Sequence, residues 1–153
     1  MATQETIEML KCHGIKPSAQ RISIMEYLLN HRTHPTVDAI YGDLVETMPT
    51  LSKTTIYNTL KLLEAHDAVT ELTIDKKTAH YDSVTTPHSH FLCKSCGRIF
   101  DVPFVYVCDH AMGDAYVVDE VEINYKGHCR ECLAAAGSRR QTEKILITKS
   151  LQQ

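Results

Sequence analysis

Apolar residues recur at helical spacing through the first 66 positions of the 153-residue chain. Ile22, Met25, Leu28 and Leu29 mark one face. Val37, Ile40, Tyr41, Leu44 and Val45 mark a second, and Ile56, Leu60 and Leu63 a third. These i, i+3, i+4, i+7 patterns predict helices that bury one side each around a shared core. A shorter helix is expected over Glu5–Cys12, ended by Gly14. Pro49 stops the third helix, and Ser52 is suited to cap the N-terminus of the fourth. The pattern then changes period. Ala68–Ile74 alternates like a strand, Asp75–Thr78 can turn, and Ala79–Ser83 returns. A helical bundle followed directly by a two-stranded hairpin is the layout of a winged helix, with Lys76 and Lys77 at the wing tip.

Thr85-Thr86-Pro87 reads as a hinge. Beyond it, strands are expected over His88–Cys93, Arg98–Val102 and Tyr116–Tyr125, with short helices over Phe104–Met112 and Arg130–Ala136, the latter ended by Gly137. The expected fold is therefore α+β, with a winged-helix unit over 1–84 and a smaller α/β unit over 88–137. Residues 138–153 form a tail or an extra strand.

Composition narrows the class. A hydrophobic fraction of 43% and a charged fraction of 23% are those of a folded globular chain. No apolar run approaches the roughly 20 residues needed to span a bilayer, and the N-terminus lacks the pattern of an export signal. A cytoplasmic location is the default expectation, and there cysteines serve as metal ligands or redox groups rather than disulfides. The net charge of −3 gives no general attraction to nucleic acid. A DNA reader of this charge relies on a local basic stripe, on histidines that carry partial charge, and on bound cations.

The strongest chemical signal is Cys93-x-x-Cys96 with Cys129-x-x-Cys132. Two such pairs supply four thiolates to a tetrahedral structural zinc, whereas a redox-active CxxC acts as a single pair. Cys12 and Cys108 stand alone and read as incidental thiols. A second set lies around the hinge: His88 and His90 on one face of a strand, Asp82 before them, Asp101 after the first CxxC, and His34 at the start of the third helix. Mixed imidazole and carboxylate donors suit ferrous iron, manganese or zinc. Spacing alone leaves open whether these residues share one metal.

The ordered segments HPTVDAIY (His34–Tyr41), TIYNTL (Thr55–Leu60), YDSVTTPHSH (Tyr81–His90), CKSCGRIFD (Cys93–Asp101) and GHCRECL (Gly127–Leu133) resemble the ferric-uptake regulator family. The likeness runs from about Gly14 to Leu133. It implies a homodimeric repressor that binds an inverted-repeat operator in double-stranded DNA through its winged helices and dimerises through its C-terminal unit. It implies structural zinc, one per protomer, at Cys93, Cys96, Cys129 and Cys132. It also implies a regulatory iron(II) or manganese(II) at His34, Asp82, His88, His90 and Asp101. In the recognition helix Ser52, Thr55, Tyr57 and Asn58 are expected to face DNA, with Thr55, Tyr57 and Asn58 nearest the bases, while Lys16, Lys76 and Lys77 are expected to hold phosphates. Asp101 and Asn58 resemble the peroxide-stress branch, where iron reacts with hydrogen peroxide and a ligand histidine is oxidised. His34 and His88 match the oxidised histidines. The sequence departs from the family at Ser18–Arg21 (SAQR for TPQR) and in the poverty of histidine over Glu120–Cys129, so no further sensory site using that run is expected. An iron- or zinc-responsive uptake regulator on the same fold is the alternative. A metal-dependent hydrolase or a CxxC oxidoreductase is the reading from another class, and it lacks a catalytic signature such as HExxH.

Overall fold

The structure is a computed structural model that describes residues 3–84, 86–103, 117 and 121–136. The expected helix over Phe104–Met112, Cys108, Thr85 of the hinge, Gly137 and the tail 138–153 lie outside the described residues.

Four helices form the N-terminal unit: α1 (Thr3–Cys12), α2 (Ala19–Asn30), α3 (Val37–Leu44) and α4 (Lys53–Ala65). The last three start at side-chain caps. The hydroxyls of Ser18, Thr36 and Ser52 accept from the amides of Arg21, Ala39 and Thr55. Each cap satisfies an amide that has no partner within its own helix. The expected apolar faces meet in one core of Leu10, Ile15, Ile24, Met25, Leu28, Ile40, Leu51, Ile56, Leu60 and Leu63. Gly14 turns the chain out of α1 with a φ of +70°, a conformation that costs a residue with a Cβ.

The wing is β1 (Thr70–Leu72) paired antiparallel with β2 (His80–Asp82), Leu72 opposite His80. Both strands are shorter than the alternation predicts. Ala68, Val69 and Ile74 are buried, but they pack as flanking loop rather than as ladder. Beyond the wing, β3 (Ser89–Cys93) is the centre of a three-stranded sheet in the order β4-β3-β5. β4 (Ile99–Val102) is antiparallel to it, and β5 (Asn124–Gly127) is parallel. Helix α5 (Arg130–Ala135) follows at once. This is the α+β architecture expected from the sequence.

One strand is corrected. Tyr116–Tyr125 reads as a strand from its apolar residues, yet residues 121–123 are outside any strand and the ladder runs over Asn124–Gly127. Val117 and Val121 are exposed and Ile123 is only half-buried, so the described apolar residues before Asn124 make no buried strand face. Pairing with β3 sets the strand instead, Cys93 opposite Gly127. Gly127 suits this close approach, because a Cβ there would lie 3.2 Å from the Phe91 ring and the ring would have to give way.

The two units also touch through side chains. Leu72 and Ile74 of the wing pack on Ile99 and Leu92 of the second sheet. The Thr73 hydroxyl donates to Glu122 at 2.9 Å.

Core packing on α4 generates a simple expectation. Leu60 is fully buried, so Leu60→Ala should lower the denaturant-derived stability by about 2–5 kcal/mol through lost burial and a residual cavity. Asn58→Ala, on the exposed side of the same helix, should change it by no more than about 0.5 kcal/mol.

Candidate metal centres

The structure brings together both sets of expected ligands. His34 sits on the loop before α3, Asp82 ends β2, His88 precedes β3, His90 lies in β3, and Asp101 faces His90 across the β3–β4 ladder. One donor atom from each of the five lies within 4.8 Å of all the others. His34 Nε2 is 2.7 Å from Asp101 Oδ1 and 3.9 Å from Asp82 Oδ2. His88 Nε2 is 2.9 Å from Asp82 Oδ2 and 3.4 Å from Asp101 Oδ1. His90 Nε2 is 3.4 Å and 4.0 Å from the same two oxygens.

Local structure aims these atoms. The Val84 amide donates to Asp82 Oδ1 at 2.8 Å, which leaves Oδ2 for the centre. His88 Nδ1 donates to the Thr86 carbonyl at 2.8 Å, which fixes the tautomer whose Nε2 lone pair points inward. His34, Asp82 and His90 are buried, and His88 is half-buried.

Electrostatics favour the ligand forms. Burial holds the His34 imidazole below its ordinary pKa, against the pull of Asp101 and Asp82, so it is neutral. Burial works against the Asp82 carboxylate, but the hydrogen bonds from His90 and the Val84 amide outweigh it and keep its pKa below the usual value. In the forms that bind metal, three imidazoles and two carboxylates carry a charge of −2, which a divalent cation would cancel. His88 Nε2 is buried and makes no hydrogen bond, despite its proximity to Asp82. An atom so placed lacks only a partner at the point where the other four donors converge. The set fits a regulatory iron(II) or manganese(II).

The second cluster is Cys93, Cys96, Cys129 and Cys132, again with donor atoms within 4.8 Å of one another. Cys93 and Cys96 flank a knuckle in which the Gly97 amide donates to Cys93 O at 2.8 Å, with Gly97 at a φ of +71°. Cys129 caps α5 and Cys132 lies one turn in. The Sγ atoms of Cys96 and Cys129 are 3.9 Å apart, close to the roughly 3.8 Å between thiolates at 2.3 Å from one tetrahedral zinc. The Cys129 amide pulls the Cys93 pKa down to about 5, and Arg98 lowers that of Cys96. Cys132 is pushed up to about 12, first by its hydrogen bond with Cys129. Some thiols are thus held as thiolates while a neighbour is driven to keep its proton. All four ionise together only around a cation, and the arrangement fits structural zinc.

On the outer side of α4, Tyr57 and Asn58 are exposed, with Tyr57 at 48%. Thr55 is half-buried, and its hydroxyl is bonded to Ser52 at 2.9 Å within the helix cap. Asn58 and Thr55 border a cleft of about 310 Å³ shared with Ser18, Gln20 and Arg21, three residues absent from the sequence-based set. Lys16, Lys76 and Lys77 are exposed. His80 was also overlooked. Its signal was available, since residues two apart on a strand share a face and His80 therefore lies beside Asp82.

Comparison with known proteins agrees with this geometry. The profile of the Ferric uptake regulator family matches residues 12–111. Over 133 residues the chain is 35% identical to the peroxide operon regulator of Bacillus subtilis (strain 168), covering 84% of this chain and 92% of that one. It is 32% identical to the peroxide-responsive repressor PerR of Staphylococcus epidermidis, covering 84% and 89%. The Helicobacter pylori ferric uptake regulator Fur superposes with a TM-score of 0.66 at 20% identity, over 86% of this chain and 94% of that one, which shows a shared fold.

The lowered pKa of His34 has a measurable consequence. The folded state takes up this proton less readily than the unfolded state, so stability falls as pH drops below the unfolded value of about 6.5. In cation-free protein with the cysteine cluster intact, the melting temperature of His34→Gln relative to wild type should be constant above about pH 7 and rise as the pH is lowered. A pH-independent difference would show that His34 is not held neutral. Asp82, with a pKa shifted the same way, contributes stability that is lost only as pH falls through its lowered carboxylate value.

Proposed function

Because the chain belongs to the ferric uptake regulator family, we propose that it is a metal-dependent transcriptional repressor of the peroxide-sensing kind. It would act as a homodimer on an inverted-repeat operator in the cytoplasm. The observation that carries the reading is the convergence of five donor atoms, two from the winged-helix side and three from the second sheet, within 4.8 Å. The relatives named for peroxide response support it at 32–35% identity. Regulators of transcription, rather than enzymes, are what the chain is similar to. Among the described residues no helix is long and apolar enough to cross a membrane.

His34 and Asp82 belong to the DNA-reading unit, and His88, His90 and Asp101 to the other. Five donors satisfied together hold the two units in one orientation, and any loss of a donor releases that constraint. A cation bound there favours the closed state by the difference in its affinity for the two states. Ferrous iron, when bound by these residues, would activate hydrogen peroxide, one oxygen of which would be added to a ligand imidazole while the other leaves as water. His34 and His88 are the candidates, each presenting Nε2 to the centre. An oxidised ring is a weaker donor, and the orientation that matches the operator goes with it. On the DNA side, Tyr57 and Asn58 are exposed on α4 to read base edges, with Ser52 and Thr55 at the helix start. Lys16, Lys76 and Lys77 neutralise phosphates. The linker 85–87 between units 1–84 and 88–137 is the proposed hinge.

Two measurements test this reading. First, purified protein should retain about one zinc per protomer, and Cys96→Ser should lose it and melt at lower temperature. Normal zinc content in that variant would refute the four-thiolate site. Second, DNA should be selected from a random pool by the manganese-loaded protein, and the complex then treated briefly with dilute peroxide. The iron-loaded protein should release the DNA and gain one oxygen on the peptide holding His34 or His88. The manganese-loaded protein should do neither. Release in both forms, with oxidation of Cys93 or Cys96 and loss of zinc, would overturn the mechanism.

A further inference from the structure

Four of the five regulatory donors have visible local support. Asp82 Oδ1 receives the Val84 amide, and His88 Nδ1 is bonded to Thr86 O. His90 and Asp101 are register partners within a ladder. His34 differs. Its Nδ1 is buried with no hydrogen-bond partner. A ligand imidazole is normally oriented by a bond from its remote nitrogen, and this ring has none. Apart from Asp101 at its inner nitrogen and the edge of the His90 ring, its direction is set by its backbone.

That backbone is unusual. His34 has a φ of +52°, in the left-handed region that side chains with a Cβ avoid, and Pro35 follows it. Two bonds from β2 hold this conformation. The Tyr81 amide donates to Pro35 O at 3.1 Å, and His80 Nδ1 donates to His34 O at 2.7 Å. His80 is half-buried on the wing strand, two residues before Asp82. Its other ring nitrogen faces Asp75 Oδ2 at 3.6 Å, and Asp75 Oδ1 accepts the Lys77 amide at 2.9 Å in the wing turn. The His80 ring therefore stands between the wing turn and the peptide that aims His34.

We propose that His80 is a positioning residue for the regulatory metal: its bond to the His34 carbonyl sets the left-handed backbone that directs the His34 ring, and so ties the wing to the metal site. This rests on reading His34, Asp82, His88, His90 and Asp101 as that site. The donor geometry makes the role specific. The Nδ1 of histidine is reproduced by the side-chain amide of asparagine, whereas glutamine places its amide one bond too far.

The test is titration of the full-length, zinc-containing protein with manganese(II), together with the absorption spectrum of the cobalt(II) form. His80→Leu and His80→Gln should each weaken manganese binding by about 10–100-fold, the usual cost of losing a partner of a ligand. Both should change the cobalt spectrum while leaving zinc content unaltered. His80→Asn should restore most of the affinity and the wild-type spectrum. In iron-loaded His80→Gln treated with peroxide, oxygen addition should shift from the His34 peptide toward the His88 peptide. Wild-type manganese affinity in His80→Gln, or equal affinity in the glutamine and asparagine variants, would overturn the proposal. His34→Ala separates the two levels. If it loses manganese while His80→Gln binds normally, the positioning role fails and the regulatory site stands. If it binds manganese as tightly as wild type, the site itself is misread.

Discussion

Two carboxylates that belong to different parts of the fold are held close together around three imidazoles, and the relation between the two units depends on that contact. Oxygens of Asp82 and Asp101 lie within 4.8 Å of each other. Like charges at that separation repel by roughly 3 kcal/mol at an effective dielectric of 20, before solvent screening at the half-exposed Asp101. Histidine N–H groups can relieve part of this by donating to the oxygens, as His90 does to Asp82. A divalent cation relieves it fully and takes up all five donors at once. The same residues thus carry a penalty when bare and a gain when metallated, which is what an orientation switch needs.

The proposed switch requires that its second half be rigid. β3 provides that rigidity, because it carries His90 near its start and Cys93 at its end. The cysteine cluster fixes β3, the β4 turn and α5 to one point, and the parallel pairing of β5 brings Cys129 to it through Gly127. Arg98 completes the rim, with a hydrogen bond to Cys96 and an ion pair to Glu131. A small sheet with few buried side chains gains from such a clasp what it lacks in core.

The wing joins the helical unit to the second sheet. It ends in Asp82, packs Leu72 and Ile74 against the second sheet, and receives Lys61 of α4 through Glu71. Tyr81, fully buried beside Asp82, donates to the same Glu71 carboxylate at 3.3 Å. Recognition helix, wing and ligand strand therefore meet in one polar contact. Asp82 and α4 are thus linked by groups that touch, through Tyr81, which is itself a member of the helical core.

The sequence by itself determined the helices, the cap at Ser52, the hairpin of the wing and the two CxxC pairs. Each is local or motif-borne: apolar spacing of 3.6, a capping side chain three residues from its amide, or a CxxC turn. The strand at Asn124–Gly127 was not legible, because its register comes from a partner far away in the chain and its own residues are largely exposed. Nor was the convergence of the five donors. Spacing placed His88 and His90 on one face but said nothing of His34, which is 54 residues before His88 and joins them only because its backbone is left-handed and anchored to β2. His80 acquires its place for the same reason. Its bond spans 46 residues, and a contact between distant segments is decided by how elements pack, which no local pattern encodes.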